Sequence, residues 1–275
     1  KINKLSDIMG AEIYNLDTSK LMDLIVFNMI KDVFFSNHLL IIKNQILNAR
    51  ELVQFSKLFG ELDIHIKNEF HHKDFSEILI LSNKKNKDGS PVGFEDAGRY
   101  WHTDMSYTKN PPMASILLAL EVPTSGGDTL FCNMEKAYND LDSKEKKILL
   151  NLEAVHSYTA SFQGLTSANK NRTVLTKEQR KNLNEVIHPV IRTHTKTKNR
   201  SIYVNPGFTE KIKDKKRDES EEILKKIFEH CLKEKYIYTH KWEKNDLVIW
   251  DNSSVLHHAT EYDSSQTRHM LRTTI

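Results

Sequence analysis

The stretch "GRYWHTDMSY", residues 98–107, carries His102 and Asp104 one residue apart. On a strand such a pair faces the same side while Thr103 faces away, so an imidazole and a carboxylate can address one point in space. Those are two ligands of a 2-His-1-carboxylate facial triad, which holds ferrous iron and leaves adjacent coordination positions open for cosubstrate and oxygen. A second histidine is then required. "WDNSSVLHHATEYD" offers His257 and His258 after "DLVIWDN", a run that reads as a strand and a turn. Adjacent strand residues face opposite ways, so at most one of these two coordinates. In a chain with 13 histidines and 37 acidic residues, His102 and Asp104 taken alone fit an ordinary hydrogen-bonded or surface couple better than a metal site. The rest of the chain must supply the partners.

The chain has 275 residues, 39% hydrophobic and 28% charged, which suits one soluble domain spanning 1–275 with a core of its own. No apolar run approaches the roughly 20 residues that cross a bilayer, and no apolar signal segment opens the chain. The two cysteines, Cys132 and Cys231, lack the spacing of a disulfide scaffold or thiolate zinc site, which fits a reducing cytoplasm. A net charge of +3 is too small to point to nucleic acid. The lysines of "EKIKDKKRDESEEILKKIFEH" alternate with acids at helical spacing and read as a solvated face.

The elements that must position the candidate ligands follow from apolar periodicity. Residues 21–36 read as a helix, "HLLIIKN" as a buried strand, and "NARELVQFSKLFG" as a helix opened by Asn and closed by Gly. Strands follow at "SEILILS", "ASILLALEV", "DTLFC", "VIRTH", "SIYVN", "DLVIW" and "HMLRTTI", with helical stretches near 133–152 and 209–235. Short strands dominate after residue 75. The pattern predicts a mainly β protein with flanking helices, a sandwich or barrel.

The blocks "WHTDMSY", "PPMASILLALEVPTSGGDTLFCNM", "HPVIRTHTKTKNRSIYVNPGFTEKI", "NDLVIWDNSSVLHHAT" and "RHMLRTTI" resemble, in order and spacing, the signature segments of the taurine dioxygenase (TauD/TfdA) family of iron(II)- and 2-oxoglutarate-dependent dioxygenases. The resemblance covers nearly the whole chain. It implies a double-stranded β-helix, the cupin-like jelly roll, with Fe(II) on His102, Asp104 and His257 and with 2-oxoglutarate and O2 as cosubstrates. It implies that Arg272 binds the far carboxylate of 2-oxoglutarate, with Arg268 as its basic neighbour and Thr129 as a hydroxyl donor. Gly126 and Gly127 permit the tight turn before that strand. One departure is Ser253, where the family commonly has Arg. The resemblance also places His65 of "LDIH" as a ligand of an anionic substrate, binding best when protonated, and Tyr107 as an aromatic wall of the substrate pocket. His71 and His72 read as solvated loop histidines, Trp101 and Trp250 as packing residues, and residues 83–100 as a polar, Gly-containing loop for which closing as a lid stays open.

The implied reaction is hydroxylation of a small anionic molecule, a sulfonate or a carboxylate, with release of succinate and CO2. Asp104 separates it from related halogenases, which have a small residue in its place. Two other classes compete: a catalytically silent or anion-binding member of the fold, and a cupin-type isomerase or lyase. Neither requires the Arg272 and Thr129 pair. The expected partner is a small-molecule substrate, with neither nucleic acid nor membrane, and self-association into a homo-oligomer stays open.

Overall fold

A computed structural model describes residues 1–95, 97–159, 175–181 and 184–275. In chain order these form β1 (Ile2–Lys4), β2 (Ala11–Ile13), α1 (Leu24–Asn37), β3 (Leu39–Ile42), α2 (Ala49–Lys57), β4 (His71–His72), β5 (Phe75–Ser82) and β6 (Ala114–Glu121). Next come β7 (Thr129–Asn133), α3 (Met134–Asn139), α4 (Ser143–Leu149), β8 (Glu153–His156), α5 (Lys177–Lys181), β9 (Val186–Pro189), β10 (Ile191–Thr193), β11 (Arg200–Ile202) and β12 (Thr209–Ile212). The chain closes with α6 (Arg217–Cys231), β13 (Ile237–His240), β14 (Leu247–Asp251), β15 (Val255–Ala259) and β16 (His269–Thr274).

The apolar runs are continuous rather than alternating because the large sheet is buried on both faces. Its order is β1-β2-β3-β14-β6-β16-β5-β4, and a smaller sheet runs β13-β7-β15. Leu39, Ile41, Leu79, Leu81, Leu117, Val248, Trp250 and Met270 of the large sheet pack with Phe131 and Val255 of the small one. Their sequence neighbours Leu40, Ile42, Ile78, Ile116, Leu118, Leu247, Ile249 and Leu271 point the other way, onto Ile30 and Phe34 of α1 and Leu52, Val53 and Phe55 of α2. The two facing sheets make the double-stranded β-helix, with the helices outside.

Capping chemistry trims the helices. Asp23 accepts from the Ile25 N–H and starts α1 at Leu24, later than apolar periodicity suggests, while Asn48 and Glu51 form a reciprocal capping box on α2. The stretch expected to be helical from 209 to 235 divides. Residues 209–212 pair with β8 as β12, because tertiary pairing overrides local propensity, and the helix begins only at Arg217. On α6 and just before it the pairs Lys215–Glu219, Arg217–Glu221 and Lys226–Glu222 lie one turn apart on exposed positions, as a solvated face requires. No helix among the described residues is long and apolar enough to cross a membrane.

Candidate active site

The expected strand at His102 and Asp104 is not there. His102 forms an isolated antiparallel bridge to His257, with backbone hydrogen bonds of 3.1 and 2.7 Å in the two directions. Asp104 then enters a turn in which Met105 adopts φ 52°. The bridge sets the two histidines side by side, with ring centroids 4.1 Å apart, and the turn folds the carboxylate back toward them. The ligand atoms of His102, Asp104 and His257 lie within 4.8 Å of one another, all three residues buried. Among the described residues this is the one such cluster of three.

The hydrogen bonds around the cluster prepare its ligand atoms. A carbonyl can only accept, so the 2.8 Å contact of His102 Nδ1 with the Tyr100 carbonyl places the proton on Nδ1 and puts the ring's lone pair on Nε2. Asp104 receives Arg272 on Oδ1 at 2.7 Å and the Ser115 hydroxyl on Oδ2 at 2.6 Å. Ser115 in turn accepts from Asn252 Nδ2 at 3.0 Å, and Thr103 Oγ1 donates to the Asn252 carbonyl at 2.8 Å. Burial alone would raise the Asp104 carboxyl, but the Arg272 guanidinium, with the Ser115 hydrogen bond, outweighs it and holds it well below the usual carboxylate range. His257 is pushed well down by burial and then by His102, so it is neutral, the form that ligates. Gly98, at φ 76°, lies against the His102 ring, where an added Cβ would sit 3.1 Å from Cε1.

His257 and His258 lie on opposite faces of β15, and only His257 joins the cluster. His257 is buried inside, its ring 4.8 Å from that of Trp250, whereas His258 faces out onto Trp101 at 5.5 Å. Trp101 thus packs on the outer face, whereas Trp250 packs against His257 on the inner face.

Two small recesses open on the cluster and share Gly98, His102 and Arg272. The first is also lined by Thr129, His257, Trp250 and Arg268. Arg268 is 7% exposed and has no carboxylate partner among the described residues, and burial pulls its guanidinium down to about 10. A buried cation without an anion is costly. Thr129 Oγ1 accepts from the Trp242 indole at 2.9 Å, so its own proton is free for a further partner. Gly126 and Gly127, at φ 70° and 68°, make the turn that delivers Thr129. Arg272 sits between the two recesses with its charge already engaged by Asp104, while Arg268 is the arginine whose charge is unmet.

The second recess is lined by His65, Tyr100, Met105, Tyr107, Tyr158 and Phe208. Tyr107 is 3% exposed and packs edge-on against Phe208 and Tyr158, and burial raises its phenol well above the ordinary value. His65 lies in an irregular segment rather than on a strand. Its Nδ1 accepts from the Lys67 N–H at 3.1 Å, and its carbonyl accepts from His71 Nε2 at 2.7 Å. Burial, then the Arg272 cation, push His65 down to about 3, which runs against the expectation of a protonated ligand. It presents a neutral Nε2–H. His71 is not a solvated loop histidine but a brace for His65.

The sequence reading passed over Ser115, Asn252, Trp242, Tyr158 and Phe208. For Ser115 a signal existed: it is the lone hydroxyl in the buried run "ASILLAL". Residues 83–100 carry the ion pairs Lys84–Glu121 and Lys85–Glu95 and backbone bonds from Val92 and Phe94; Asp96 lies outside the described residues. A larger groove of about 240 Å³ between α4 and α6 contains none of these residues.

The model of the taurine catabolism dioxygenase TauD, TfdA family matches residues 1–274. Pentalenolactone F synthase of Streptomyces arenae is 32% identical over 227 residues, covering 80% of this chain and 76% of that protein. The alpha-ketoglutarate-dependent 2,4-dichlorophenoxyacetate dioxygenase of Burkholderia sp. (strain RASC) is 30% identical over 244 residues, 86% of this chain and 80% of that one. Among solved structures, AAD-2 in complex with Mn(II) and N-oxalylglycine superposes with a TM-score of 0.84 at 26% identity, covering 100% of this chain and 97% of that chain.

Proposed function

The chain belongs to the taurine catabolism dioxygenase TauD, TfdA family and is a 2-oxoglutarate-dependent non-haem iron dioxygenase, and from that premise we propose which residues carry the reaction and what they act on. His102, Asp104 and His257 hold Fe(II). Arg268 and Thr129 bind the far carboxylate of 2-oxoglutarate, a reversal of the roles first given to Arg268 and Arg272. The observation that carries this reading is that two unmet demands open on one recess: three ligand atoms within 4.8 Å, and a buried guanidinium without an anion among the described residues. A dicarboxylate reaching from one to the other meets both.

Bound there, iron with 2-oxoglutarate and O2 supplies the oxidation of an unactivated C–H bond, with succinate and CO2 as by-products. The chain's own residues do the rest. Tyr100 and Ser115 fix the protonation and orientation of the ligands, and Arg272 keeps Asp104 ionised. The Tyr100, Tyr107, Tyr158 and Phe208 wall excludes water from the second recess, where the His65 Nε2–H and the field of Arg272 face the substrate. Those two groups favour a small anion, a sulfonate or carboxylate. The relative named for 2,4-dichlorophenoxyacetate supports the same class.

We place the enzyme in the cytoplasm as one domain over 1–275, with a small molecule and neither nucleic acid nor membrane as partner. Exposed Leu21, Leu24, Ile25 and Met29 on and just before α1 support self-association, which sedimentation velocity tests. The test of the reaction is succinate release with Fe(II), 2-oxoglutarate, ascorbate and a panel of sulfonates and carboxylates. Stimulation by an anion, lost in Asp104→Ala, is expected. Stimulation only by neutral or cationic compounds would sink the substrate class.

A further inference from the structure

We infer that Trp242 is a positioning residue for the cosubstrate: its indole N–H orients the Thr129 hydroxyl so that this hydroxyl donates to the far carboxylate of 2-oxoglutarate. The inference rests on the reading that Arg268 and Thr129 hold that carboxylate. A threonine hydroxyl has one proton and two lone pairs, and an indole N–H can only donate. With Trp242 Nε1 2.9 Å from Thr129 Oγ1, the hydroxyl is an acceptor on that side. Its proton has no acceptor among the described residues, and Thr129 lines the recess that also contains Arg268. Donor and cation thus converge without any rearrangement.

Trp242 is held for this purpose by more than one contact. It is 9% exposed and packed with Leu81, Leu117, Phe131 and Met270. The His240 ring meets it edge-on at 4.6 Å, and His240 Nε2 lies 3.2 Å from Asp246 Oδ2. Asp246 accepts the Glu243 N–H at 2.9 Å and pairs with Lys43 at 2.6 Å, so the segment just past Trp242 is anchored in the core. His240 also faces Thr129 directly across the β13–β7 pair, which fixes the distance between indole and hydroxyl.

Mn(II)-loaded protein is titrated calorimetrically with 2-oxoglutarate and with 2-oxopentanoate, which has the same chelating end but no far carboxylate. One hydrogen bond of ordinary strength, ~1 kcal/mol, corresponds to a several-fold change in affinity. Trp242→Phe should weaken 2-oxoglutarate by about three- to tenfold and leave 2-oxopentanoate within about twofold. In a Thr129→Val background the Trp242→Phe change should add nothing, since the two act through one hydroxyl. Equal losses for both ligands, or a Trp242→Phe loss undiminished by Thr129→Val, would overturn the inference. If Thr129→Val and Arg268→Leu themselves leave the ratio of the two affinities unchanged, the cosubstrate reading fails instead. Should Trp242→Phe not fold, wild-type Zn(II)-loaded protein with ¹⁵N-indole label answers the question. Of the three indole signals, the one displaced by Thr129→Val should shift on adding 2-oxoglutarate and not on adding 2-oxopentanoate; an unmoved signal refutes the role.

Discussion

Arg272→Leu separates the two jobs of that arginine. Arg272 and Asp104 form a pair at 2.7 Å with side chains 7% and 5% exposed, and Leu leaves the carboxylate buried without its cation. Breaking a buried pair from one side is destabilising by about 3–5 kcal/mol, and here the lower end is expected because the Ser115 hydroxyl still serves Oδ2. For a chain of this size that is a drop in Tm of about 6–12 °C in metal-free protein. The sign of the pH dependence follows from the carboxyl. In the wild type Asp104 is held low, so its contribution is present above the unfolded carboxylate value and is lost as pH falls. Without Arg272, burial raises it instead, so the variant is relieved by protonation and its deficit narrows as pH falls. A divalent cation relieves it too, and no longer meets the arginine's repulsion. Thermal melts in EDTA and in Mn(II), across pH 5 to 8, measure all three effects. A wild-type Tm in EDTA, or a deficit that neither acid nor Mn(II) narrows, would refute the reasoning.

Ser115→Ala removes a 2.6 Å donor from Asp104 and strands Asn252 Nδ2, so metal affinity should fall roughly 10- to 100-fold in competition with a chelator, with the fold retained. His257→Ala should abolish metal binding by calorimetry while His258→Ala retains it, because only the first faces inward. Since His65 is depressed to about 3, it is neutral across pH 5.5 to 8. Substrate affinity over that range should therefore stay flat, and a tenfold weakening through pH 6 to 7 would show a protonated His65 at work. Arg268→Leu should weaken 2-oxoglutarate by about a hundredfold or more at little change in 2-oxopentanoate, measured by calorimetry, because the far carboxylate loses its charged partner.

Residue types and periodicity, together with the family resemblance, determined much of this protein. Continuous apolar runs such as "HLLIIKN" and "DLVIW" mark strands buried on both faces, and the blocks around His102, Thr129, His257 and Arg272 mark the site. Those features are local, and a side-chain period or a ligand spacing survives in one dimension. What the tertiary structure decided depends on groups distant in sequence. His102 and Asp104 are brought together by a bridge to His257 and a turn, not by a strand's alternation, so the pair was chosen for a geometry the chain does not adopt. The charge state of His65 and the different surroundings of Arg268 and Arg272 rest on burial and on which carboxylate lies within reach, and Asp104 is 168 residues from Arg272. No spacing rule reports that. Electrostatics acts through space, and only the fold places Asp104 against Arg272 while leaving Arg268 without an anion among the described residues.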